Sequence, residues 1–222
     1  MLLDKTAHVI KMAGIFLSVS SLTYWGVSVI AGEASQHNIN LTDHSQHQEM
    51  ICASKEKSYE RKQVKYQIPE LTLLNQEGKS ISTADLFSGS DPLMLNFIFT
   101  SCTTICPVLT ATFAQLQKKL DKPIKMVSIS IDPEYDTPAR LKEYAQRFHA
   151  KENWTFLTGN LNVVIDVLNA FDAYRGDKMN HIPLTLIRFG GNQPWLRLEG
   201  FPGTNDLLKE YGLSMSELSG AQ

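Results

Sequence analysis

The alternation of short apolar runs with amphipathic stretches after Tyr66 predicts an α/β domain of the thioredoxin-like class, a central mixed sheet flanked by helices, behind an N-terminal membrane anchor. Three observations carry this prediction. Residues 93–99 and 124–131 are nearly continuous apolar runs, as strands buried on both faces require. The stretch between them, 104–120, places Val108, Leu109, Ala111, Phe113, Leu116 and Leu120 on one helical face. Two cysteines, Cys102 and Cys106, stand at the junction of that strand and that helix.

The remaining elements follow in order. Residues 70–74 and 79–82 flank the turn-rich segment 75–79 and predict a hairpin. Thr137-Pro138 is a helix start, an N-cap followed by Pro at the first position, for a helix running to about His149. Residues 154–157 form a strand, and Asn160 caps a helix from 161 to about 174. Residues 184–189 and 195–198 are strands separated by a turn at 190–192, and a terminal helix covers about 205–218. The domain so defined spans 67–222, a normal size for one core.

The chain has 222 residues, with 21 Lys plus Arg against 23 Asp plus Glu, a net charge of −2. That balance argues against a nucleic-acid partner, which demands a basic excess. Residues 12–31 carry no charge and are mostly apolar, and as a helix they span roughly 30 Å. Lys5 and Lys11 precede this stretch and Glu33 follows it, which orients the N-terminus to the cytoplasm. The expectation is a single-pass anchor within 1–34, in the cell inner membrane, with the domain on the periplasmic side. A cleaved signal peptide ending near Ala31 or Ala34 is the alternative, and it delivers the same compartment.

Residues 35–66 read as a polar linker, with a charge-dense solvated tether over 55–65. Within it stand His37, His44, His47, Met50 and Cys52. Imidazole, thioether and thiolate all suit copper, and soft sulfur favours Cu(I). The cluster reads either as a hydrophilic linker that happens to contain histidine or as a copper-collecting arm.

The chemistry centres on Cys102 and Cys106, in the segment Thr100-Ser101-Cys102-Thr103-Thr104-Ile105-Cys106-Pro107. A helix N-terminus favours thiolate over thiol. Three residues between the cysteines, rather than two, make an i, i+4 pair that can close a disulfide or chelate one ion. His181, just before the strand at 184, lies in the loop that faces the cysteine turn in a thioredoxin-like fold. Two thiolates and an imidazole suit copper as Cu(I) or Cu(II), with three-coordination natural for Cu(I). Structural zinc takes four ligands, and no fourth candidate is visible. Asp132 and Asp136 read as a strand end and an acidic helix start, with a supporting role near the metal as the alternative. Met179 reads as a packing residue, and His149 as a helix C-terminal residue without function.

Residues 95–102, the closing Cys106-Pro107, the segment 127–138 (Val-Ser-Ile-Ser-Ile-Asp-Pro-Glu-Tyr-Asp-Thr-Pro) and the late His181 together resemble the Sco (SenC) family, over about 67–212. The resemblance implies a thioredoxin-like fold behind a membrane anchor and copper bound by Cys102, Cys106 and His181. It also implies assistance in assembling the binuclear copper centre of cytochrome c oxidase, or of a related copper enzyme, as copper donor, thiol reductant or both. Asn180 stands where many members carry Asp, and the interval from Cys106 to His181 is shorter than in many. A metallochaperone is thus expected rather than a turnover enzyme. The competing function is a thiol–disulfide oxidoreductase working through the Cys102/Cys106 pair. A peroxidase is disfavoured, because Phe99 stands where the Thr three residues before a peroxidatic cysteine would be.

Overall fold

The computed structural model describes residues 58–120, 122, 124–190 and 193–219. The expected anchor (1–34) and the His/Met/Cys cluster of 37–52 lie outside the described residues. Among the described residues, no helix is long and apolar enough to cross a membrane.

Strand β4 (Leu93–Ile98) is buried along its whole length. The other elements, in chain order, are β1 (Tyr59–Val64), β2 (Thr72–Asn75), β3 (Ser80–Ser82), α1 (Thr83–Phe87), α2 (Ile105–Lys119), β5 (Lys125–Ser130), α3 (Pro138–Arg147), β6 (Trp154–Thr158), α4 (Leu161–Ala170), a 3₁₀ turn (Lys178–Asn180), β7 (Leu184–Arg188), β8 (Trp195–Gly200) and α5 (Thr204–Ser219). The strands form one mixed sheet in the order β1-β8-β7-β4-β5-β6-β2-β3. Strands β4, β5 and β6 run parallel, and β7 returns antiparallel beside β4.

Alternation along β4 divides the core into two layers. Met94 and Ile98 face one cluster with Phe113 and Leu116 of α2, Leu141 and Tyr144 of α3, and Leu207 of α5. Leu93, Leu95 and Phe97 face the other, with Leu86 and Phe87 of α1 and Val164, Val167 and Leu168 of α4. Each such side chain, fully buried, contributes roughly 1.5–3 kcal/mol of transfer free energy. The expected N-caps are present: the Thr137 side chain accepts from the N–H of Arg140, and that of Asn160 from the N–H of Asn162. Helices α3 and α4 both end on a non-glycine residue with positive φ, His149 (53°) and Asp172 (50°). The N–H of Ala150 reaches the carbonyl of Ala145, and that of Ala173 the carbonyl of Leu168. These are the six-to-one bonds of a Schellman close. Helix α4 therefore stops at Ala170, short of the expected 174.

The structure differs most from the sequence reading at 59–64. The solvated tether expected there is strand β1, paired antiparallel with β8 from Tyr59↔Gly200 to Val64↔Trp195. The strand shows water four consecutive exposed residues (Glu60, Arg61, Lys62 and Gln63), because it is an edge and buries only Tyr59. Its charges are those of a protected edge strand, and they mask it among linker residues.

Candidate metal centre

The topology assembles the site at one end of the sheet. Cα register pairs Ile98 with Ser130 and Asn96 with Thr185. The exits of β4 and β5 and the entry to β7 therefore meet at one edge. The cysteine turn leaves β4, the segment from Asp132 to Asp136 leaves β5, and His181 precedes β7.

Helix α2 begins at Ile105, and its N-cap residue Thr104 makes no side-chain cap bond. Instead the N–H of Cys106 donates to Cys102 Sγ at 3.4 Å. A sulfur thus takes the place of a capping oxygen at a helix end whose first N–H groups lack partners. Pro107 sits at the third helical position, where the missing N–H removes no bond. Burial pushes the Cys102 thiol up, but bonds from the backbone of Cys106 and Thr104, with their side chains, outweigh it and hold the thiol below its ordinary value. Cys106 behaves in the opposite way. It is fully buried, and its Sγ accepts from the N–H of Phe99 at 3.4 Å. Burial pushes its thiol well above the usual range, and the neighbouring Cys102 adds to the rise. The helix terminus therefore activates one cysteine and not both, which the sequence alone did not separate. Both are free thiols.

His181 completes the cluster. Its Nε2 lies 3.5 Å from Cys106 Sγ, and its Nδ1–H donates to the carbonyl of Lys178 at 2.8 Å. That bond selects the tautomer whose Nε2 lone pair is free. Burial lowers the imidazole's pKa, partly offset by the Lys178 carbonyl. Phe99 meets the ring edge-on at 5.2 Å. The ligand atoms of Cys102, Cys106 and His181 all lie within 4.8 Å of one another, close enough for one ion.

Two carboxylates hold the loops of the site. Asp136 is fully buried. It accepts from the Thr100 N–H at 3.0 Å, the Thr100 hydroxyl at 2.5 Å and the Ser130 hydroxyl at 2.6 Å. This fixes the chain two residues before Cys102. Asp132 accepts from Lys178 Nζ at 2.5 Å, which ties the 3₁₀ turn carrying His181 to the exit of β5. Asp132 follows the end of β5 as expected, but Asp136 is not the acidic helix start expected, since the first turn of α3 holds no acidic residue and the carboxylate is turned to Thr100 and Ser130. The partners Thr100 and Lys178 were missed because neither pairing is local in sequence. Met179 is 72% exposed and so is not the packing residue expected. His149 lies at the end of α3 as expected.

A mixed sheet flanked by helices, with a Cys-x3-Cys turn facing a histidine loop, defines a thioredoxin-like domain built around a soft-metal ligand cluster. The sequence model of the SCO1/SenC family matches residues 60–184, and the chain belongs to that family. It is 41% identical over 98 residues to the SCO1 protein homolog of Bacillus subtilis, covering 42% of this chain and 50% of that one. The chain spans about half the length of the curated relatives it matches. Among solved structures it is similar to a SCO1/SenC family lipoprotein from Bacillus anthracis, at 28% identity and a TM-score of 0.59 over 71% of this chain and 98% of that one. It is likewise similar to BsSco, described as a Sco family cytochrome c oxidase assembly protein with a disulfide switch. That match has 31% identity and a TM-score of 0.57 over 67% of this chain and 93% of that one.

Proposed function

We propose that this chain is a copper chaperone that binds one copper ion through Cys102, Cys106 and His181 and assists assembly of the copper centre of cytochrome c oxidase or a related copper enzyme. The observation that carries this reading is the convergence of two sulfurs and a correctly tautomerised imidazole nitrogen within 4.8 Å. Soft thiolates with imidazole suit copper. The relatives' names, a Sco cytochrome c oxidase assembly protein among them, support the biological role. Copper is cargo here, and the protein's own contribution is the arrangement. Asp136 and Asp132 hold the two loops, Cys102 offers the thiol that ionises more readily, and Cys106 gives up its proton when the metal arrives.

The pair also supports a second reading, a thiol–disulfide oxidoreductase acting through Cys102 and Cys106. The observation favouring it is the asymmetry of the two thiols, one part-exposed with a lowered pKa and one buried with a raised pKa. An attacking and a resolving cysteine differ in the same way. For organisation, we place an anchor or signal segment in 1–34, which puts the domain on the periplasmic side of the inner membrane, single-pass if the segment is retained. The similarity to a family lipoprotein supports membrane association outside the cytoplasm. The cluster of His37, His44, His47, Met50 and Cys52 then serves as a copper-collecting arm between membrane and domain.

The test is a Cu(I) titration of the reduced chain against a competing chelator, repeated on a chain beginning near residue 54. One tight site should persist in the shorter chain and weaken with His181→Ala. An unchanged affinity in that variant removes the three-ligand site. A measured disulfide potential then ranks the redox reading.

A further inference from the structure

At the opposite end of the sheet from the cysteines, a cleft of about 270 Å³ opens beside the last residue of β7. Its walls include Phe87, Trp195, Thr83, Ser88, Lys65 and Arg188. Arg188 is 97% buried, from an exposure of 3%. Its Nη2 donates to the carbonyl of Asp91 at 3.3 Å, while Nε and Nη1, both closed off from solvent, have no hydrogen-bond partner among the described residues. A guanidinium has five N–H donors, and the one on Nε and two on Nη1 are left unused. No ion pair with Arg188 is formed among the described residues. The groups around it are Lys125, which adds positive charge, and the Asp91 carboxylate, which offsets part of it. The Lys125 ammonium is itself committed to the Leu86 carbonyl at 3.2 Å.

A buried cation with most of its donors unused is expensive, and such a group normally finds a partner. The indole of Trp195, 5.9 Å from the guanidinium, compensates only in part. The loop beside Arg188 is tightly packed. Gly190 adopts φ +104°, and a Cβ there would collide with the Ser90 carbonyl oxygen. The 88–91 segment is therefore pressed against the end of β7, with its Asp91 carbonyl on Arg188.

We propose that this cleft is an oxyanion-binding site, in which Arg188, assisted by Lys65, receives a carboxylate or phosphate group borne on an apolar body that lies against Phe87 and Trp195. Guanidinium donors suit both oxyanions, and the aromatic wall accounts for the apolar part. The site shares no residue with the copper cluster.

The test uses the full-length, reduced, copper-free chain. The Arg188 side-chain Nε–H and Trp195 indole N–H resonances are followed while inorganic phosphate, acetate, phenyl phosphate and benzoate are titrated separately. Saturable shifts of both resonances are expected, with each aryl anion binding more tightly than its simple counterpart. The favoured aryl anion identifies phosphate or carboxylate as the group taken. Arg188→Gln should weaken binding by about tenfold or more. If that variant does not fold, Lys65→Glu should weaken binding and acts as the alternative readout. The proposal is overturned if none of the four anions saturates, if the aryl group brings no gain, or if affinity survives in the folded variant.

Discussion

The Nε2 of His181 lies 3.5 Å from the Sγ of Cys106, although 75 residues separate them in the chain. The antiparallel return of β7 beside β4 makes this contact, and the Lys178 carbonyl orients the ring. The first prediction tests it. His181→Ala should lower Cu(I) affinity at least roughly tenfold, about 1.4 kcal/mol, since even groups that only orient a ligand are worth that much. His181→Ala should lower the melting temperature of the metal-free protein only slightly, because the ring is partly exposed and, beyond the bond within its own loop, makes one long contact with Cys106 Sγ and an edge-on contact with Phe99. Competition titration and thermal melts separate the two effects. Equal loss of both would show that His181 is structural.

Asp136 should matter at a distance from the metal. Asp136→Asn turns an acceptor-only group into one whose amide faces the Thr100 or Ser130 donors. The variant should lose roughly 1–3 kcal/mol of stability and also about tenfold in copper affinity. Asp132→Asn, with a partly exposed ion pair to Lys178, should affect stability far less. Denaturant melts alongside copper titrations give the comparison. A stable Asp136→Asn protein with unaltered affinity would exclude the clamp.

Acid should weaken copper binding in two stages. The Cys106 pKa is raised in the metal-free protein, so this thiol is protonated throughout the neutral range and must release a proton on binding. The Cys102 pKa is lowered, so its proton is lost at a pH below the ordinary value of 9.0. Above the Cys102 pKa one proton leaves per copper, and below it two leave. The slope of log affinity against pH should therefore be about one on the alkaline side and steepen toward two as pH falls. The sign is fixed: affinity rises with pH. A flat profile between pH 6 and 9 would mean both thiols are already ionised.

Much of this was legible in the chain because it is local or periodic. The apolar runs of β4 and β5, the Pro at the start of α3 and the cysteine pair at a strand–helix junction each announce themselves within a few residues. The end of α4 was less legible, because Asp172 takes the left-handed position usually given to Gly. In α4 the Arg197 guanidinium, nearly fully buried, binds the carbonyls of Phe171 and Asp172. That compensation lies some 25 residues downstream, where no local pattern reveals it. Thr100, Lys178 and the unsatisfied Arg188 escaped notice for the same reason. Their roles come from pairings across the sheet rather than from neighbours in sequence.

The N-terminal boundary of the domain carries the last prediction. A sequence-based boundary at 67 would discard β1, whose six residues pair along the whole of β8. It would also remove the Tyr59 hydroxyl and Arg61 guanidinium, both bonded at 2.7 Å to Glu210, a side chain only 3% exposed. Tyr59 itself is buried in the α2–α3–α5 layer, and loss of a buried aromatic costs roughly 3–5 kcal/mol. A chain beginning at 67 should therefore melt at least about 10 °C lower than one beginning at 54, given several degrees per kcal/mol for a domain of this size. It should also self-associate, because the bared backbone of β8 becomes a long edge open to pairing. Light scattering and thermal melts on the two chains make the comparison. If the shorter chain stays monomeric and equally stable, β1 is an accessory strand and the domain proper begins after it.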